Sequence, residues 1–380
     1  MQSPVRIQPQ YVQRLLLSVI GLAILILGSI LLIDPYGVSP ISLQIPGINL
    51  AKPARLNIDR QIKPIEVWRK QPKTVFLGTS RIHQSINPRQ LENTRFAPAY
   101  NAAVPEAYLG ENIEYLKFYA EIDKNLEFAF VELFSSSFLG EKEGIKPINK
   151  KVVGETYLSL TWSLSAFHAT IETLYHNIAK KLEFHYIHDG GYRVYPTVHD
   201  SKLVFAGFPV GMWNEFDRIG GRFKLREDSY EAFDELINIA SKSGIELIFI
   251  LTPNHAYFEY FLNTTDSWPV VEEWLIRISK KATVLSFAQP SELNYERVSS
   301  DMQYWYDPLH FSLAFGDAIQ AAIKQQPLSS TSADFMVRLT PEIVPDIIQK
   351  RKNAIEVWAQ QNSEFVDEFE RARGSRAGGS

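Results

Sequence analysis

Apolar positions along the chain fall into two rhythms. Short, mainly apolar runs, rich in β-branched and aromatic residues, occur at 74–77, 98–103, 128–134, 245–251 and 283–287. Such runs read as buried strands. Between them apolar residues recur at helical spacing. Tyr108, Ile113, Leu116, Tyr119 and Ala120 mark a helix over 107–122, and Tyr230, Phe233, Leu236, Ile237 and Ala240 mark one that begins near Asp228 and closes at Ser243-Gly244. Further helices are predicted over 270–280 and about 312–325. Strands separated by helices predict an α/β fold built on a doubly wound parallel sheet.

The flanking regions follow other patterns. Residues 15–33 contain no charged side chain. At ~20 residues per crossing they are long enough for a transmembrane helix. Arg6 and Arg14 precede this run and Asp34 follows it, so the positive-inside rule puts residues 1–14 in the cytoplasm and the main domain outside, in the periplasm. A cleaved signal peptide is the alternative, but the run is long for one and no Ala-x-Ala site follows. Residues 34–72 carry Pro35, Pro40, Pro46, Pro53 and Pro64, which disfavour a continuous helix and predict an extended stalk. A core domain over 73–327 is interrupted by an insertion at 140–226. Leu160, Leu164, Phe167, Ile171, Leu174 and Ile178 predict a one-sided apolar helix there, and 183–223 reads as irregular and aromatic. This insertion is either a lid or binding surface, or a helical subdomain covering a sheet edge. Residues 328–373 form an extension whose Ile348, Ile355, Trp358, Phe365 and Phe369 describe an amphipathic helix, able to pack on the domain, on a partner or on a membrane. Residues 374–380 have the composition of a linker or tag remnant.

Charge and cysteine content narrow the function. The net charge of −4 and the lack of a basic run give no signal for nucleic acid, and the absence of cysteine excludes disulfides and thiolate metal sites. The eight histidines show no metal-ligand spacing. No metal or other cofactor is expected.

The candidate chemistry centres on Gly78-Thr79-Ser80-Arg81, where the first strand stops and presents a hydroxyl. Ligands and catalytic groups gather at the carboxyl ends of strands in open α/β sheets. Downstream, Asp307-Pro308-Leu309-His310 opens the last predicted helix. Its three-residue spacing lets the carboxylate orient an imidazole that faces a serine brought in by the fold. The plainer alternative is a serine in a turn and an ordinary helix start. Arg81 and His83 follow the serine closely and are candidates to hold an anionic or sugar substrate, Arg81 having a structural cap or ion pair as its alternative. His255 sits after the 245–251 strand, either lining the pocket or bonding locally.

In the order Ser80, a βα series, then Asp307-x-x-His310, the chain resembles the SGNH (GDSL-like) hydrolases over about residues 73–325. The resemblance implies a flavodoxin-like sheet with Ser80, His310 and Asp307 as catalytic residues. It also implies an oxyanion site made by Ser80, by a position near Glu106 where the family has glycine, and by Ser136 where the family has asparagine. A carboxylate at Glu106 would oppose a developing oxyanion unless it points away, and a hydroxyl is a less directed donor than an amide. With an N-terminal anchor the chain looks like the membrane-anchored members of bacterial exopolysaccharide and cell-wall acylation systems. The expectation is a serine esterase or O-acyltransferase acting on a polysaccharide, with a membrane-bound acyltransferase or synthesis complex as partner. The alternative is a non-catalytic accessory protein of such a complex.

Overall fold

The computed structural model describes residues 9–41, 43–134, 147–179, 186–187, 190–194, 200–325 and 335–377. The chain divides into two compact units, one made of Met1–Glu66 with Asn149–Ile187 and the other of Val67–Ile148 with His188–Ser380.

In the first unit, α1 (Pro9–Ile33) is long and apolar enough to cross a membrane. Its final turns pack on α6 (Leu164–Ile178) and α5 (Lys150–Thr161). The single helix predicted across 160–178 is broken at Trp162-Ser163, where the Ser163 hydroxyl caps α6 by accepting from the Ala166 N–H at 3.1 Å. The stalk reading also needs correcting. A short 3₁₀ turn spans Pro53–Asn57 and α2 spans Asp59–Lys70 with Pro64 inside it. An internal proline costs about 3 kcal/mol in an isolated helix. Here the helix buries Ile62 and Ile65 completely, and Arg55 pairs with Glu66 and lies 3.7 Å from Asp59. At the exit of α1, Asp34 Oδ1 accepts the N–H groups of Val38 and Ser39 at 2.7 and 2.8 Å, and Lys52 donates to the Asp34 carbonyl. Prolines there shape turns within a packed unit; they do not extend the chain.

The second unit is α/β. Its sheet contains β1 (Thr74–Leu77), β2 (Ala99–Asn101), β3 (Phe128–Leu133), β6 (Glu246–Leu251), β7 (Val284–Ser286) and β8 (Val337–Arg338). Two further two-residue strands lie outside that sheet, β5 (Arg193–Val194) in this unit and β4 (Tyr186–Ile187) in the first. The order is β2-β1-β3-β6-β7-β8, with every pairing parallel except the antiparallel β7/β8 edge. Thr74 is in register with Phe128, and Phe128 with Glu246. β1 and β3 are buried on both faces, as their predominantly apolar runs require, and Phe76 stacks on Phe130 with ring centroids 4.9 Å apart. The intervening helices are α3 (Ser80–Ser85), α4 (Leu109–Ile122), α7 (Ser201–Arg218), α8 (Glu227–Ser243), α9 (Ala256–Thr264), α10 (Trp268–Ser279) and α11 (Leu313–Gln325).

The stretch expected to be irregular up to Phe223 contains α7, even though Gly207, Pro209 and Gly211 lie within it. Trp213 fixes this helix by packing on Phe261 at 4.9 Å and donating to the Phe369 carbonyl at 3.3 Å. The C-terminal extension forms two helices, α12 (Val344–Gln361) and α13 (Ser363–Ala377), and α13 runs into the segment set aside as a tail. Of the three surfaces considered for it, the extension packs on the domain, with α12 against α9 and α10 and α13 against α7. Ile348, Ile355, Trp358, Phe365 and Phe369 are all buried, and Arg351 forms a buried ion pair with Glu259.

Candidate functional site

β1 pairs with β2 on one side and β3 on the other, so the chain reverses its direction of travel across the sheet at β1. The crevice at such a switch point is where open α/β sheets hold ligands. Gly78 ends the strand with φ +156, and a Cβ there would sit 2.7 Å from the Glu132 side chain. Glycine is required by that approach. Thr79 then caps α3, its hydroxyl accepting from the Arg81 N–H at 3.2 Å, and Ser80 is the first residue of the helix.

The Asp307 segment is a loop, and the helix predicted to start there begins at Leu313. Two backbone N–H groups, from Leu309 and His310, each donate to Asp307 Oδ1 at 2.8 Å and curl the loop around the carboxylate. A bridge between Trp305 and Phe311 closes it, and the His255 N–H donates to the Pro308 carbonyl at 3.3 Å. α11 is drawn onto α3 at Gly316, where a Cβ would fall 1.6 Å from the Ser85 carbonyl oxygen. The Ser85 hydroxyl donates to the Phe311 carbonyl.

These contacts bring together three side chains that are distant in sequence. Ser80 Oγ lies 2.8 Å from His310 Nε2, and His310 Nδ1 lies 2.6 Å from Asp307 Oδ2. With the carboxylate accepting at Nδ1–H, Nε2 of the neutral ring is left as the acceptor for the serine hydroxyl. Burial pushes the Asp307 carboxyl up. The hydrogen bond and charge of His310, with the two backbone N–H groups, outweigh that effect and hold it below the usual carboxylate range. The arrangement can take a proton from Ser80 and stabilise the imidazolium that results.

Other residues singled out by sequence are placed differently. Arg81 is buried, donates to the Pro253 carbonyl, lies 3.6 Å from Glu132 and stacks 4.3 Å from the Phe134 ring. Burial pulls its guanidinium down to about 10, against the opposing pull of Glu132 and Asp307. It therefore supports the turn from within, as its structural alternative had it. His83 is also buried. His255 has no exposed surface. Its Nδ1 caps α9 by accepting from the Tyr257 N–H at 3.1 Å, and its Nε2 meets the Glu296 carbonyl at 2.8 Å. Local bonding, and not pocket lining, is its role. Ser136 lies outside the described residues. Glu106 is exposed and has φ +58, a conformation that glycine adopts without strain.

Sequence reasoning overlooked Glu132. Mid-strand and nearly inaccessible, its Oε2 accepts from the Thr79 N–H at 2.7 Å and the Thr79 hydroxyl at 2.8 Å, and its Oε1 from the Thr252 hydroxyl at 3.0 Å. A charged residue inside an otherwise apolar strand run was the available signal. Beside the triad lies a cavity of about 620 Å³ whose walls include Thr79, Glu106 and Leu309. α7 supplies much of its lining, so part of the 140–226 insertion does face this region.

No family model matches the chain, and no curated protein matches it. Among solved structures, one described as "a putative platelet activating factor from Streptococcus pneumonia" is similar at 11% identity and a TM-score of 0.36, covering 71% of this chain and 94% of its own. At that score the two share too little geometry for the likeness to bear on function.

Proposed function

We propose that the protein is a membrane-anchored, extracytoplasmic serine esterase or O-acyltransferase of the SGNH type, acting on acyl groups of a polysaccharide through Ser80, His310 and Asp307. The observation that carries this is the hydrogen-bonded chain Ser80–His310–Asp307, at 2.8 and 2.6 Å, between side chains 230 residues apart. Counted over the five parallel strands, the sheet order is 2-1-3-4-5, which supports a flavodoxin-like doubly wound sheet. The left-handed conformation of Glu106 supports equating it with the family's oxyanion glycine. The charge-free α1 after Arg14 supports the anchor and its orientation.

In this reading Ser80 Oγ attacks the ester carbonyl while its proton passes to His310 Nε2. Asp307 stabilises the charged ring. The tetrahedral oxyanion collapses, the alcohol leaves with the proton from His310, and Ser80 is left acylated. Water or a sugar hydroxyl, deprotonated by His310, then takes the acyl group. The test is cleavage of p-nitrophenyl acetate by the full chain. Ser80→Ala is expected to abolish it and His310→Ala to lower it by a comparable factor, since such residues act as a unit. Asp307→Asn is expected to cost about 10⁴-fold. One observation favours the accessory alternative: Glu106, an acidic residue, is among those lining the same cavity. Wild type as inactive as Ser80→Ala, with Ser80→Ala still supporting polymer production in cells, would establish that alternative.

A further inference from the structure

The cavity beside Ser80 is apolar and its wall is partly bare. Phe208, Met212 and Phe216 of α7 line it together with Phe134, Phe258 and Phe261. Of its charged lining residues, Glu215 and Arg218 neutralise each other through two hydrogen bonds of 2.6 and 2.8 Å. Gly207 and Gly211 also line it, one helical turn apart on α7, and a Cβ at either would meet nothing within 4 Å. A helix-interior glycine costs about 1 kcal/mol relative to alanine. No backbone contact demands these two glycines, so what they provide is room. The cavity's volume falls within the ~300–1,000 Å³ typical of small-molecule sites, and an acetyl group would leave most of it empty. Thr79 and Leu309, chain neighbours of Ser80 and His310, are part of its wall, so the cavity reaches the residues that flank the candidate nucleophile and base. We infer that this cavity is an acyl-chain subsite and that the acyl group handled is a medium-length or longer aliphatic chain. As a statement about substrate, this rests on the Ser80 reading.

Two measurements keep that dependence visible. Octanoate and acetate are titrated by calorimetry into the full Ser80→Ala chain in lipid nanodiscs, with empty nanodiscs as blank. Octanoate is expected to bind at least ~100-fold more tightly, a discounted form of the roughly fourfold gain per buried methylene. Gly207→Leu and Gly211→Leu, each checked for an intact unfolding transition, are expected to weaken octanoate at least ~10-fold by filling the space. On the wild-type chain, kcat/KM for p-nitrophenyl esters is expected to rise from acetate to octanoate. Octanoate binding no tighter than acetate, or undiminished by both leucines, overturns the subsite even if acetate esters are cleaved through Ser80. Tight octanoate binding without any ester cleavage leaves the subsite standing and removes the Ser80 reading instead.

A separate observation concerns the first unit. α6 is apolar on the wrong side for a water-soluble fold. Its buried face is small and polar, comprising Ala166, Ala169, Thr170, Thr173 and Asn177. Its outer face carries Leu164, Ile171 and Ile178, at 84, 52 and 68% exposure, with Tyr175 beside them. Ser165, His168, Glu172 and His176 occupy the flank. Small inward residues and large outward apolar ones are the pattern of helices against lipid. Asn177 ties α6 to the segment after α1 through two bonds with Ala51, and Asn49 ties that segment to the last carbonyls of α1. The same segment exposes Ile41, Leu43, Ile45 and Ile48. The apolar surface is thus continuous with α1, while α6, at 15 residues, is too short to cross a bilayer. We propose that the outer face of α6 lies in the bilayer interface beside α1, with its polar flank toward the headgroups.

The chain has no cysteine, so Leu164→Cys, Ile171→Cys and Ile178→Cys each give a single site for an environment-sensitive fluorophore. In full-length protein reconstituted into phosphatidylcholine/phosphatidylglycerol vesicles, all three labels are expected to emit to the blue of a Glu231→Cys label on α8. Lipid-borne nitroxides should quench them, and aqueous iodide should not. Quenching by iodide overturns the proposal, and so does protection from both quenchers, which would mean that protein covers the face.

Discussion

Replacing Glu132 by glutamine tests how the nucleophile turn is held. The carboxylate accepts from three donors, the Thr79 N–H and hydroxyl at Oε2 and the Thr252 hydroxyl at Oε1, and Oε1 also lies 3.6 Å from the Arg81 guanidinium as its counter-charge. Glutamine is nearly isosteric but offers a single acceptor oxygen, and its amide N–H₂ must face either the Thr79 N–H or Arg81. Either orientation sets two donors against each other and takes the nearest counter-charge from the buried guanidinium, leaving only the weaker pull of Asp307. Removing one partner of a buried ion pair costs about 3–5 kcal/mol, so the sheet should become less stable by about that much. Hydrogen exchange followed by mass spectrometry on the full chain reads this directly. Protection of the β1 and β3 amides is expected to fall roughly 150–5,000-fold, and the proposed esterase activity with it, because the turn carrying Ser80 loosens. A loss of protection below about fivefold, equivalent to ~1 kcal/mol, would refute the argument. The double variant Arg81→Met/Glu132→Leu removes both charges and is expected to recover much of the stability, although not the Thr79 contacts. If the double variant is no better protected than Glu132→Gln, charge pairing is not what this carboxylate supplies.

Two further outcomes are expected. Burial depresses the His255 imidazole to about 4, below its unfolded value of about 6.5, so stability is complete above pH 6.5 and is lost as pH falls toward 4. Between pH 7 and pH 5 the second unit should lose about 2 kcal/mol, measured as denaturant midpoints, and His255→Asn, which can still cap α9, should flatten that slope. Gly316→Ala should destabilise the second unit by ~1–3 kcal/mol or more and lower activity, because its Cβ would collide with the Ser85 carbonyl. Helix propensity alone would make the same change stabilising by up to ~1 kcal/mol, so the sign measured by thermal unfolding separates the two.

What could be read from the sequence follows from where local pattern and tertiary demand agree. The five parallel strands were legible because each is mostly buried and therefore written as a largely apolar run. β8, two residues long at an antiparallel edge, leaves no such trace. α7 was hidden because glycine and proline ordinarily break helices, and here the packing of Trp213 and Phe216 onto Phe261 outweighs that propensity. The stalk misled for the same reason, since a proline count cannot report the buried Arg55–Glu66 pair that holds the turns together. At the candidate site, Ser80 was legible because it follows a buried strand, and Asp307 and His310 because of their three-residue spacing, although they lie in a loop and not at a helix start. For Arg81 and His255 the sequence left a substrate-facing and a structural role both open, because a polar residue near a strand's end can face either way. Both are buried framework, and the residue that explains Arg81 is Glu132, a carboxylate in the middle of a strand. A buried charge in a run of Phe-Ala-Phe-Val-Glu-Leu makes sense only when something must be neutralised on that face of the sheet. Its partner is the residue directly after the candidate nucleophile, so the oddity in β3 and the turn after β1 are two halves of one device.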